Sequence, residues 1–124
     1  TDKGVITIEP DVIRRVLPEG IAKQMHELLI SAVDQGESKA FNIEGYKIAG
    51  KTGTAQISED GRYDSSDETN ATFLGYLASS KKYSMLVRLE RPKTSIFAAE
   101  TAVPLWMNLT RQLISYYNIP PDKF

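Results

Sequence analysis

Between positions 18 and 36, Ile21, Ala22, Met25, Leu28, Leu29, Ala32 and Val33 recur at three- and four-residue spacing. That period lays an apolar stripe along one helix, with Pro18 suited to its first turn and Gly36 to its C-terminal cap. A linker through Phe41, Glu44 and Gly45 leads to a strand over about 46–57. Positions 71–78 and 83–90 are two apolar, β-prone runs around Ser79-Ser80-Lys81-Lys82, which predicts a hairpin. In the second run Tyr83, Met85, Val87 and Leu89 alternate with Ser84, Leu86, Arg88 and Glu90, so one sheet face should receive helices. Arg91-Pro92 stops that strand. From about Ala98 onward, Ala102, Val103, Trp106, Leu109, Leu113 and Tyr117 recur at helical spacing, with Pro104 kinking or starting the helix and Trp106 as core anchor. Val5, Ile6, Thr7 and Ile8 read as a short strand or extended arm. The expected architecture is α+β: an antiparallel sheet of at least three strands packed with helices, strand 47–56 at its edge beside 71–78, and 71–78 beside 83–90.

Composition narrows the partners without naming one. At 124 residues the chain is one small domain or part of a larger one. With 25% charged residues and a net charge of -1, it lacks the excess that marks disorder or steers nucleic acid, so partners must come from sites. It contains no apolar run of about 18 residues and no signal-peptide start, so neither anchor nor export signal is read from it. The absence of cysteine removes thiolate nucleophiles, disulfides and cysteine zinc sites. Residues 58–70 form a polar, turn-rich connection whose acidic groups read as solvated loop charges, their spacing fitting no calcium loop. His26, flanked by Lys23, Gln24 and Glu27 and without a second histidine, reads as a solvated helix-face residue. No metal or cofactor is expected.

The chemistry concentrates in Ala49-Gly50-Lys51-Thr52-Gly53-Thr54-Ala55-Gln56, which sets an ammonium, two hydroxyls and a backbone without Cβ at two positions into one strand. Alternation should send Lys51 and Gly53 to one side and Thr52 and Thr54 to the other. The glycines allow a ligand or another backbone to approach. Two other stretches imitate catalytic motifs. Ser79-Ser80-Lys81-Lys82 is a literal S-x-x-K, but it lies in an expected hairpin turn; Tyr116-Tyr117-Asn118 is a literal Y-x-N, but it lies at the end of the last helix. As the bland alternative, residues 50–54 are only a glycine-containing strand with exposed threonines.

The long form A-G-K-T-G-T-A-Q resembles the third signature of the penicillin-binding transpeptidases. The helix before it, Thr72-Phe73-Leu74-Gly75-Tyr76 after it and the closing helix match as well. The resemblance is to the class B, monofunctional type, because class A β-lactamases usually carry another glycine where this chain has Ala55-Gln56. It implies a partial β-lactamase/transpeptidase-like fold. Residues 1–124 would be the C-terminal portion of the domain, with two of its five strands and the nucleophile-bearing helix contributed by upstream sequence. It further implies serine acyl transfer on D-Ala-D-Ala stem peptides of peptidoglycan, with β-lactams as inhibitors, in a membrane-anchored parent on the extracytoplasmic face. Lys51 would be the catalytic residue supplied here, and Thr52, Gly53 and Thr54 the substrate-binding ones. Thr54 would offer its hydroxyl to a substrate carboxylate and its N–H to the oxyanion hole, while Gly53 keeps the approach open. A non-catalytic relative serving as an interaction module, or a β-lactamase or β-lactam sensor, remains the alternative.

Overall fold

A computed structural model describes residues 9, 11–59, 62–63 and 68–122; the arm expected at 5–8 lies outside them. Helix α1 (Glu19–Gln35) runs between Pro18 and Gly36, as the stripe predicts. The linker after it is not featureless, since Glu37–Phe41 forms a 3-10 turn with Ser38 buried. Strand β1 (Ile48–Gln56) then pairs antiparallel with β4 (Thr69–Leu77), and β4 with β5 (Ser84–Glu90), in the order β1-β4-β5. Residues 58–70 depart from the loop expected there. Strands β2 (Ser58–Glu59) and β3 (Arg62–Tyr63) form a two-residue ladder, Thr69 and Asn70 belong to β4, and Glu68 is no free loop charge because it meets Arg91 Nε at 2.6 Å.

Two faces follow from the register. Gly50 stands opposite Gly75 and Thr52 opposite Phe73, so odd positions of β4 share a face with even positions of β1. That face is closed by α2 (Ala102–Tyr116). Phe73 meets the fully buried Trp106 edge-on at 5.1 Å, and the indole Nε1–H donates to Met85 O at 2.9 Å, satisfying the one polar atom of the anchor. Val87 and Ala71 join the same core. The opposite face carries α1. His26 is there not solvated, as expected, but half-buried on Tyr76, with Nδ1 2.8 Å from the phenol oxygen and the rings stacked. Its partner lies 50 residues away in sequence, so no local pattern announces it.

The last helix begins at Ala102 instead of near Ala98, with Pro104 at its start as one of the two expected readings had it. Ala98–Glu100 is a separate 3-10 turn, and Pro104 falls in the first turn of α2, where its missing N–H leaves no bond unmade. The helix ends in a Schellman arrangement: Asn118 has φ 49, Ile119 N donates to Ile114 O and Asn118 N to Ser115 O. The Asn118 of the Y-x-N stretch is therefore a helix terminator. Beyond it, Tyr46 donates its hydroxyl to Ile119 O, and Asp122 accepts from Lys47 N and from the Ser79 hydroxyl, tying this segment to the start of β1.

Candidate active site

Strand β1 sits at the edge of its sheet, and the ladder decides which of its backbone groups are free. Ala78 N donates to Lys47 O, and Ile57 N to Glu68 O. In an antiparallel ladder, pairs that exchange both bonds alternate with pairs that exchange none. The bonded partners on β1 are therefore Ala49, Lys51, Gly53 and Ala55. Gly50, Thr52, Thr54 and Gln56 turn their N–H and C=O groups away from β4. Among the described residues no strand covers them, so the edge offers evenly spaced donors and acceptors to an extended ligand.

Side chains complete the edge. Lys51 shares a face with Leu74, but its ammonium bends round the strand to donate to Thr52 O and Thr52 Oγ1, both at 3.1 Å. Among the described residues it has no carboxylate partner, so its charge stays available to an anion. Thr52 and Thr54 point to the other face, as alternation requires. Thr54 Oγ1 accepts the N–H of Ala98 at 3.1 Å. That bond uses a lone pair and leaves the hydroxyl proton unspent, so the threonine can still donate. Nothing in the sequence around Ala98 announces this contact, because its donor is a backbone group 44 residues away.

The two glycines serve packing first. A Cβ on Gly50 would stand 2.6 Å from Phe73 Cζ and 2.9 Å from Leu74 O. A Cβ on Gly53 would stand 2.6 Å from Thr72 Oγ1, whose hydroxyl donates to Gly53 O at 3.1 Å. Gly53 thus makes room for Thr72 across the ladder rather than merely holding a path open for ligand. Beside Lys51 lies a cleft of about 330 Å³, bounded by Gly36, Glu37, Ser38, Gly50 and Thr52, where the C-terminal end of α1 and the first 3-10 turn approach the strand. Ser79, by contrast, is bonded to Asp122 near the start of β1, and no lysine stands within hydrogen-bond reach of its hydroxyl among the described residues.

This arrangement can hold an extended peptide-like group along an edge and stabilise negative charge there. The comparisons agree with the fold. Residues 6–108 match the model of the penicillin binding protein transpeptidase domain. Stage V sporulation protein D of Bacillus subtilis is 31% identical across 99% of the chain, and PbpB of Mycolicibacterium smegmatis 31% across 96%. The chain spans about a fifth of the length of these relatives, 19% and 20% respectively. Among solved structures, penicillin-binding protein 3 of Mycobacterium tuberculosis complexed with ampicillin superposes with a TM-score of 0.78 at 28% identity, covering 97% of this chain and 29% of that one. The transpeptidase domain of Burkholderia pseudomallei penicillin-binding protein 3 gives 0.75 at 25% identity, covering 90% and 34%. Helices on a three-stranded antiparallel sheet, the motif at its edge and the matched span agree: the chain belongs to the penicillin-binding protein transpeptidase domain family.

Proposed function

We propose that Lys51, Thr52, Gly53 and Thr54 form one wall of the acyl-transfer site of a peptidoglycan D,D-transpeptidase, and that the nucleophilic serine lies in the part of the domain preceding this stretch. The observation that carries the reading is the free edge of β1, where backbone groups that no strand of the described residues pairs, an ammonium without a carboxylate partner and a threonine hydroxyl with an unspent proton converge. An extended D-Ala-D-Ala stem peptide or the amide of a β-lactam pairs with that edge as an added strand. Lys51 supplies positive charge for proton transfer at the nucleophile and for the substrate carboxylate. Thr54 donates its hydroxyl to that carboxylate and its N–H to the developing oxyanion, and Thr52 is a second carboxylate contact. A parent protein anchored in the membrane and working on its extracytoplasmic face is part of the same reading.

Acyl transfer needs a nucleophile with a base in reach, and this wall provides neither. The test is labelling with a fluorescent penicillin followed by intact-mass analysis. The 124-residue chain alone stays unlabelled, whereas adding the preceding part of its domain, fused or as a second chain, produces a stoichiometric adduct on a serine of the added part. An adduct on Ser79 or another serine of this chain overturns the assignment. Failure of the reconstituted, folded domain to label supports a non-catalytic interaction module instead.

A further inference from the structure

A second, larger cleft of about 880 Å³ lies between the N-terminal half of α1 and the turn that joins β4 to β5. It shares no lining residue with the cleft beside Lys51. Lys23 of α1 and Lys81 and Lys82 of the turn line it, and among the described residues none of these ammonium groups is ion-paired or hydrogen-bonded. Two carboxylates, Glu19 and Glu27, also line it, so three ammonium groups face two carboxylates, and Arg15 stands 3.7 Å from Glu19 at the exposed rim. Lys81 holds φ 47, a conformation unusual for a side-chain-bearing residue, with its N–H bonded to Leu77 O at 3.1 Å. The turn that presents both lysines is thereby set.

The wall of the cleft adds direction to this charge. His26 Nδ1 and the Tyr76 hydroxyl share one hydrogen bond of 2.8 Å, and both residues line the cleft. A neutral imidazole and a phenol carry two exchangeable protons between them, and their mutual bond uses one. In either tautomer one N–H or O–H is left over as a donor. Lysines act as rotatable point charges that can meet the several oxygens of a phosphate from different directions, and three of them face this cleft.

We propose that this cleft is an anion-binding site separate from the Lys51 edge and takes a ligand bearing more than one phosphate group, held by Lys23, Lys81 and Lys82 and oriented by the His26–Tyr76 pair. The test is a titration of the isotope-labelled 124-residue chain with inorganic pyrophosphate at constant ionic strength, followed by amide chemical shifts, with citrate as the carboxylate control. Pyrophosphate should give saturable shifts on one common curve at Lys23, His26, Tyr76, Lys81 and Lys82, with any shift at Lys51 or Thr54 following a separate, weaker curve. Lys23→Gln and Lys82→Gln, both at exposed positions, should each weaken binding by about twofold to fivefold, the scale of one solvent-exposed ion pair. Citrate binding as tightly as pyrophosphate, shifts that never saturate or spread equally to Lys39 and Lys93, or a double variant with unchanged affinity overturns the proposal.

Discussion

Lys51 and Thr54 differ in what holds them, and their substitutions should separate accordingly. The ammonium contacts only its neighbour Thr52, so Lys51→Ala should leave folding nearly untouched. In the reconstituted domain it should slow penicillin acylation about 10²-fold or more, the scale of losing one electrostatic stabiliser. Stopped-flow labelling set against a melting curve reads both effects. Thr54→Val, in contrast, strands the Ala98 N–H, and an unmet buried donor costs about 1–3 kcal/mol. Thr54→Ser keeps the oxygen and should recover most of that loss, which chemical denaturation of the three proteins would show. Gly50→Ala should cost about 1–3 kcal/mol by overpacking, because its Cβ meets the Phe73 ring and the Leu74 carbonyl together; Ala55→Gly, at an exposed position of the same strand, provides the comparison in thermal melts.

Among the elements, α2 and the β4–β5 hairpin are joined by contacts that are sensitive to chemistry as well as shape. Burial raises the pKa of Tyr83, and the neighbouring Thr110 hydroxyl of α2 offsets part of the rise. The folded chain therefore keeps the phenol protonated at a pH where the unfolded chain, titrating near about 10, has begun to lose that proton. The unfolded state then binds fewer protons, and stability falls as pH rises above that value. Tyr83→Phe should lose less stability than the wild type between about pH 9 and 11, as compared by urea midpoints. At the other end of α2, Asn118 occupies the left-handed region, where a β-branched side chain is strained by about 1–2 kcal/mol. Asn118→Val should lower the melting temperature and leave acylation of the reconstituted domain unchanged, since its role is to end a helix.

Across the whole molecule, one face of the sheet is sealed by α2 and the other only partly by α1. Leu74 and Leu86, paired across the ladder on the α1 face, are 53% and 60% exposed, and Ile21, Met25 and Leu28 of the helix stripe are exposed with them. The stripe thus located α1 correctly, yet only Val33 of its residues is fully buried in the described structure. Among the described residues the outer edge of β5 is also without a partner strand. Amide exchange should therefore be fast for the outward N–H groups of β1 and β5 and slow throughout β4; uniform protection across the three strands would show that both edges are covered. Helices α1 and α2, strands β1, β4 and β5 and the order β1-β4-β5 were legible in the chain, because apolar period and turn residues act over a few positions; the two-residue β2–β3 ladder and the 3-10 turns were not. The candidate motif was legible too, because its residues are adjacent in the chain. The tertiary structure decided which backbone groups of β1 stay free, that Thr54 is tied to Ala98, that Glu68 meets Arg91 and that His26 rests on Tyr76. The three contacts join residues from 23 to 50 positions apart, and such a contact is specified by packing and register rather than by any local pattern.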